Sequence, residues 1–116
     1  MSALATITDE HHGDVPVVTI AGEIDASNST EVAARLHAAL NNRSTAMVVD
    51  LTPTTYIDSA GINVLFELGN NLGERQQQLH IVVATGSPIA RMLDIVGLDN
   101  AVPTHATRAA ALEAAD

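Results

Sequence analysis

The segment Ile57-Asp58-Ser59-Ala60-Gly61 contains the strongest candidate for chemistry in this chain. A helical pattern begins at Ser59, and serine is a common helix-capping residue. A helix N-terminus also presents free N–H groups and the positive end of the helix dipole, so it would stabilise a phosphate on the Ser59 hydroxyl. Ala60 has no hydroxyl, which leaves Ser59 as the only acceptor in the turn. The turn alone is compatible with a simple helix cap and with a phosphorylation site.

The same serine does not match the nucleophile of a hydrolase. The nucleophile elbow of such enzymes has a glycine two residues before the serine, where this chain has Ile57. No histidine is recognisably placed as a base for Ser59. The chain also contains no cysteine, which excludes a thiol nucleophile, a disulfide and a thiolate metal site. We therefore expect a protein that is not an enzyme and has no catalytic residues.

Three aspartates, Asp25, Asp50 and Asp58, are predicted near one edge of a sheet. Such a cluster could hold Mg²⁺ for phosphoryl chemistry, as in a receiver domain. That hypothesis also needs a lysine after a late strand, and the chain contains no lysine. Turn and cap chemistry for Asp25 and Asp58, and a hydrogen-bonded buried acid for Asp50, are simpler interpretations. We expect no metal site and no cofactor.

The histidines and glycines form no recognised motif. The five histidines have no zinc-ligand spacing, and we expect all of them on the surface. The glycines form no phosphate-binding loop. Gly61 lies in the first turn of a predicted helix without an evident packing reason, so we expect it to let a partner approach the backbone.

The hydrophobic pattern alternates between strands and helices. Helices are predicted to begin at Asn28, with Glu31 completing a capping box, and at Ser59, Pro88 and Thr107. Residues 52–55 are predicted to be a polar loop. Strands are predicted at residues 4–10, 15–22, 46–51 and 79–84, with a short last strand at 101–103.

This alternation predicts an α/β domain with parallel pairing through right-handed crossovers. The first two strands are predicted to form a hairpin, which makes the sheet mixed. We expect four to five strands packed by about four helices. Ligands of such sheets gather at the carboxyl ends of the strands, which places residues 23–28, 52–59 and 85–88 at the candidate site.

Length and charge restrict the classes of function. The chain has 116 residues and 12.1 kDa, which predicts one domain over residues 1–116 with its core at about 15–115. Its formal charge is −9 with only five basic residues, which argues against binding nucleic acid or an anionic membrane surface. No apolar run has the roughly 18 residues of a membrane span, and no signal peptide is recognisable. We expect a cytoplasmic protein.

Together these motifs resemble the STAS domain family, named for sulfate transporters and anti-sigma factor antagonists, and most of all its bacterial anti-sigma factor antagonists. The resemblance runs from Val15 to about Ala115. Its carriers are Gly22-Glu23-Ile24-Asp25 with Asn28, Val48-Val49-Asp50-Leu51, Tyr56-Ile57-Asp58-Ser59-Ala60-Gly61-Ile62, Leu79-His80-Ile81-Val82 and Leu93-Asp94-Ile95-Val96-Gly97-Leu98.

The resemblance implies a regulatory cycle. The unphosphorylated antagonist binds an anti-sigma factor that is also a serine kinase, and phosphorylation of the turn serine, here Ser59, ends the complex. A metal-dependent serine phosphatase removes the phosphate. By the same match, Asp58 would hold the turn, and the partner-facing surface would comprise Asp25, Asn28, Asp58, Ser59, Ala60, Gly61 and Asn63. Thr54 departs from the family, which usually has an apolar residue there.

Other functions remain open at this point. A STAS domain also serves as a scaffold subunit of an ABC-type or anion transporter without phosphorylation, and the Ser59 turn would then be only a docking surface. A receiver or enzyme that uses the carboxylate cluster is disfavoured by the missing lysine. A nucleotide-binding variant is disfavoured because no phosphate loop is visible.

Overall fold

Six strands and five helices make up the computed structural model, which describes residues 4–115. The strands are β1 (Ala5–His12), β2 (Val15–Ile24), β3 (Ala46–Asp50), β4 (Thr54–Ile57), β5 (Gln78–Val82) and β6 (Thr104–His105). The helices are α1 (Ser29–Ala38), α2 (Ser59–Glu74), α3 (Pro88–Ile95), α4 (Leu98–Ala101) and α5 (Arg108–Ala115).

Strand β2 organises the sheet. β1 pairs antiparallel with β2, from Ala5 opposite Gly22 to His12 opposite Val15. The other edge of β2 is divided, because β3 pairs parallel with residues 17–19 and β4 pairs parallel with residues 22–24. β5 then pairs with β3, and β6 with β5, both in parallel. The carboxyl ends of β2 and β4 therefore lie side by side.

The predicted mixed α/β sheet is confirmed, with β4 as a strand that the sequence did not reveal. Residues 52–55 were expected to be a loop, but β4 begins at Thr54. The Thr54 side chain is buried, and its hydroxyl donates a hydrogen bond of 2.7 Å to the carbonyl oxygen of Ile20. This bond satisfies a polar group inside the fold, so a strand can begin in a polar stretch.

The last strand also differs from its predicted position. Residues 101–103 were expected to form it, but Ala101 ends α4, and the strand is Thr104–His105. Gly97 adopts a left-handed backbone with φ of 80° after α3, which lets the chain turn and start a second short helix. The strand is thereby displaced toward the C-terminus.

Helices cover both faces of the sheet. Helices α1 to α4 enclose the larger core, which includes Leu36, Leu65 and Leu93. Helix α5 covers the smaller core on the opposite face, formed by Val15, Val17, Val48, Val82 and Ala111. No helix within residues 4–115 is both long enough and apolar enough to cross a lipid bilayer.

Candidate functional site

The helix cap of α2 is Asp58. Its backbone is extended, and its Oδ1 accepts hydrogen bonds from the N–H groups of Ala60 at 2.9 Å and Gly61 at 3.1 Å. This is the usual geometry of an N-cap aspartate. Ser59 was a candidate for this role, but it is the first helical residue instead, and its side chain is exposed. The Ser59 hydroxyl therefore does not cap the helix.

Asp58 also holds two segments of the chain together. Its Oδ2 accepts a hydrogen bond of 3.2 Å from the N–H of Ala26 in the loop after β2. Its own N–H donates to the carbonyl oxygen of Ile24 at 3.2 Å. One aspartate thus fixes the start of α2 and the loop between β2 and α1, which places that loop beside Ser59.

The loop after β2 is organised by its own side chains. Oδ1 of Asp25 accepts from the N–H and the hydroxyl of Ser27, at 2.8 and 2.6 Å. These bonds lower the pKa of the Asp25 carboxyl, so it is charged at neutral pH. Oδ1 of Asn28 accepts from the N–H of Asp25, and Nδ2 of Asn28 donates to the carbonyl of Glu23.

The capping box predicted at the start of α1 is wrong, because its capping hydrogen bond is not formed. Asn28 does occupy the N-cap position, but its side chain makes no capping hydrogen bond to α1. Both its amide oxygen and its amide nitrogen bind the loop backbone behind it. These hydrogen bonds to Asp25 and Glu23 fix the conformation of the loop and leave α1 without a side-chain cap.

The structure brings most of the predicted partner-facing residues to one surface. Ser59 and Asn63 are exposed, and Asp25, Asn28, Asp58 and Ala60 are partly exposed. Glu67 and Asn70, expected on the same polar side of α2, are exposed as well. Segments 23–34 and 54–74 contain no arginine or histidine, so the carboxylates of this surface have no basic neighbour along the chain.

A groove between α1 and α2 adjoins Ser59. Its volume is about 410 Å³. Ala60 and Asn63 were predicted at the site, but the α1 side of the groove was not. The helical periodicity identified only the buried positions of α1. No local sequence pattern predicted that another face of α1 would lie beside α2. The groove is lined by Ser29, Thr30, Ala33, Ala60, Asn63, Val64 and Glu67.

Gly61 has a packing role, which corrects the expectation that it lacked one. It is buried, and a Cβ at this position would lie 2.7 Å from Cγ1 of Ile57 and 2.8 Å from Cγ2 of Ile24. Both isoleucines are fully buried. Glycine is required here because α2 approaches the ends of β2 and β4 closely.

Asp50 belongs to a different structure from Asp25 and Asp58. Its Oδ1 accepts from the N–H and the hydroxyl of Thr52, and its Oδ2 accepts from Nη2 of Arg108 at 3.0 Å. Burial alone would raise the pKa of Asp50, but these hydrogen bonds outweigh it and leave the pKa lowered. Within residues 4–115, no three histidine, cysteine or acidic side chains are grouped to hold a metal ion.

The expectation that all five histidines lie on the surface is wrong for His80. His80 is 3% exposed, in a strand covered on both faces, and its Nδ1 lies 3.0 Å from Nε2 of His105. The two residues are 25 positions apart and on different strands, so no local spacing pointed to the pair.

Replacing Asp58 tests its double role. We expect Asp58→Ala to lower the free energy of unfolding by about 1–2 kcal/mol, because a helix cap is lost. We also expect faster amide exchange at Ala26, which loses its acceptor. Ser87→Ala is the matched control, since Ser87 caps α3 through Ala90 and has no bond to the loop after β2. Unchanged exchange at Ala26 in Asp58→Ala would contradict the role in holding the loop.

Comparison with known proteins places this chain in a family. Residues 6–111 match the family model described as the STAS domain. The anti-sigma-F factor antagonist RsfB of Mycobacterium tuberculosis is 31% identical over 94 residues, which are 81% of this chain and 75% of that protein.

Solved structures agree with the sequence match. An anti-sigma factor antagonist from Mycobacterium paratuberculosis superposes with a TM-score of 0.85 and 27% identity, over 96% of this chain and 93% of the other. Unphosphorylated SpoIIAA, at 16% identity, has the same fold, with a TM-score of 0.73 over 94% of this chain and 95% of its own. With the family match covering nearly all of the described residues, the chain belongs to the STAS domain family.

Proposed function

We propose that this protein is an anti-sigma factor antagonist controlled by phosphorylation of Ser59. In the unphosphorylated form it binds an anti-sigma factor that is also a serine kinase. Transfer of phosphate to Ser59 ends the complex. The names of the relatives support the antagonist role, since both RsfB and the Mycobacterium paratuberculosis protein are anti-sigma factor antagonists.

The observation that carries the switch is the position of Ser59. It is exposed at the first position of α2, while the neighbouring Asp58 performs the capping. A kinase therefore reaches the hydroxyl without having to break a hydrogen bond of the helix end. A phosphate at this position lies at the positive end of the α2 dipole, which favours its charge even though Asp58 already accepts from the N–H groups of Ala60 and Gly61.

Phosphorylation ends binding through charge. A phosphoserine adds about −1.5 to −2 charges at neutral pH. The added charge lies beside Asp58 and near Asp25, on a chain whose formal charge is already −9. A protein interface that covers Ser59 would have to desolvate all of these charges together, which is unfavourable unless each is paired.

The proposed interface is the surface around Ser59. It includes Asp25, Asn28, Asp58, Ala60 and Asn63, with the groove between α1 and α2 as its continuation. Gly61 contributes by letting α2 lie against Ile24 and Ile57, and not through exposed surface of its own. A rigid loop held by Asp58 presents these groups in one arrangement, which lowers the entropic cost of binding.

The protein's own part in this cycle is binding, with no catalytic step. The kinase supplies phosphoryl transfer, and a metal-dependent serine phosphatase restores the unmodified antagonist. Both enzymes act on Ser59, so the same exposed hydroxyl has to fit two active sites in turn. The cycle takes place in the cytoplasm, where sigma factors act.

Phosphate transfer tests the proposal directly. The protein is incubated with the anti-sigma factor kinase of its own genome, ATP and Mg²⁺, and its intact mass is measured. We expect one phosphate on the wild type and none on Ser59→Ala. Ser87→Ala is the matched control, because Ser87 is also a serine at a helix start but lies outside the proposed interface, so its loss should not prevent modification.

The result also separates the switch from a scaffold role. Phosphate on Ser59→Ala would place the modification elsewhere. If the wild type and Ser59→Ala both bind the anti-sigma factor stably and neither is phosphorylated, the switch is rejected and the Ser59 turn has only a docking role. No binding in either form would reject the antagonist role.

A further inference from the structure

His80 and His105 form a buried contact that the proposed antagonist function does not use. His80 is in β5 and His105 is in β6, and the rings are 5.2 Å apart between centroids. Nδ1 of His80 and Nε2 of His105 are 3.0 Å apart, which is an ordinary hydrogen-bond distance. The pair joins the edge strand β6 to the interior of the sheet.

The pair is one of several links between residues 104–115 and the rest of the domain, and Arg108 of α5 separately binds Asp50 and Glu10. β6 has two residues, and its backbone is tied to β5 by the N–H of Ile81 to Pro103 and the N–H of Val83 to His105. Helix α5 follows three residues later and lies against β3, β5 and β6. An eight-residue helix is not stable alone, so α5 depends on this docking.

The hydrogen bond requires at least one ring nitrogen without a proton. A neutral imidazole has one N–H donor and one acceptor nitrogen, so two neutral rings, or one neutral and one charged ring, can share the bond. When both rings are protonated, two N–H groups point at each other across 3.0 Å. Two positive charges then also repel, and the charge on His80 is buried, so the contact is weakened.

The charges around the pair are mixed in sign. On β3, Val48 lies in register with His80. Arg91 and Asp94 share with His105 the lining of a cavity of about 460 Å³, so a positive and a negative charge are both present there. The charged residues on the packed elements are Asp50 of β3, Glu67 and Glu74 of α2, Arg91 and Asp94 of α3, and Arg108 and Glu113 of α5, and both glutamates of α2 are exposed to solvent.

The carboxylates among these residues are not available to His80. Asp50 is bound by Arg108 and Thr52. Glu113 and Asp94 are exposed to solvent, and the cavity that Asp94 lines with His105 is not lined by His80. Arg108, three residues after His105, is paired with Asp50 and Glu10.

We propose that His80 and His105 form an acid-sensitive latch: when both rings are protonated, the contact opens, which removes one of the links that hold residues 104–115 on the sheet and makes their opening more frequent. Burial and the nearby His105 lower the pKa of His80. A base with a lowered pKa in the folded state adds stability that is complete above its unfolded pKa of about 6.5. This stability is lost as the pH falls through that value toward the folded pKa.

Release of residues 104–115 has a defined consequence for the surface. Val17, Val48 and Val82 lie under α5 and would become accessible, while the larger core under α1 to α4 stays covered. The Ser59 surface belongs to β2, β4 and α2, so the latch acts independently of the phosphorylation site. The protein thus has an acid response in addition to its proposed switch.

Amide hydrogen exchange of the full chain, followed by NMR between pH 7.5 and 5.0, tests the latch. After correction for intrinsic exchange, we expect protection in α5 to fall at least about tenfold relative to α2 as the pH is lowered. In His105→Gln the side-chain amide can still donate to His80 but cannot be protonated, so α5 should stay protected. His11→Gln is the matched control on the exposed His11 of β1 and should behave like the wild type.

Two results would overturn the latch. One is protection in α5 that stays constant over the pH range in the wild type; the other is equal loss in α2 and α5, which would indicate acid unfolding of the whole domain. If His105→Gln does not fold, the ring titrations of the wild type decide. Loss of α5 protection that coincides with protonation of the His80 ring supports the latch, and loss at a pH where the His80 ring stays neutral rejects it.

Discussion

Phosphorylation of Ser59 is expected to weaken binding to the anti-sigma factor by about 100-fold or more, which corresponds to about 2.7 kcal/mol. The reason is the desolvation of a doubly negative phosphate beside Asp58 and Asp25 in an interface. The measurement is a calorimetric titration of the anti-sigma factor with unmodified and with fully phosphorylated protein, at one ionic strength. Equal affinities for the two forms would contradict the switch.

Two variants of the same residue separate charge from shape. Ser59→Ala should bind like the unmodified protein and change the free energy of unfolding by no more than about 0.5 kcal/mol, because Asp58 is the cap and Ser59 is exposed. Ser59→Asp adds one charge and fewer acceptor oxygens than phosphoserine. Its affinity should therefore lie between that of the unmodified protein and that of the phosphorylated protein. Glu113→Gln, which removes one exposed charge on α5, away from the proposed interface, serves as a control for general electrostatic effects.

Alanine at two glycines of α2 should have opposite effects on stability. Gly61→Ala should lower the free energy of unfolding by about 1–3 kcal/mol, because its Cβ would lie 2.7–2.8 Å from buried atoms of Ile57 and Ile24. Gly73→Ala should raise it by about 0.5–1 kcal/mol, since nothing lies within 4 Å of a Cβ there and alanine favours helix.

Urea unfolding monitored by circular dichroism measures the free energy of unfolding of both variants by the same method. The two glycines are in one helix, so helix propensity contributes with the same sign at both positions. The difference between them therefore reports the close approach of α2 to β2 and β4. A Gly61→Ala variant as stable as Gly73→Ala would show that the strands do not pack as closely as described.

Sequence patterns identified most elements because those patterns are local. Buried β3 has a continuous apolar run, and Ser87-Pro88 marks the start of α3 through a cap and a proline at the first helical position. The same local signals located Ser59 at the start of α2. Strand β4 was not predicted because its first residue, Thr54, is polar, and the carbonyl that accepts its hydrogen bond is 34 positions away.

The sequence by itself determined the order of most elements, the position of Ser59 at a helix start and the acidic character of the chain. Only the tertiary structure decided which groups surround Ser59. Asp58 reaches Ala26 across 32 positions, and Arg108 reaches Asp50 across 58. The physical reason is that helix and strand periodicity is set by neighbours a few residues apart, whereas these contacts exist only after the strands have paired and the helices have packed on them.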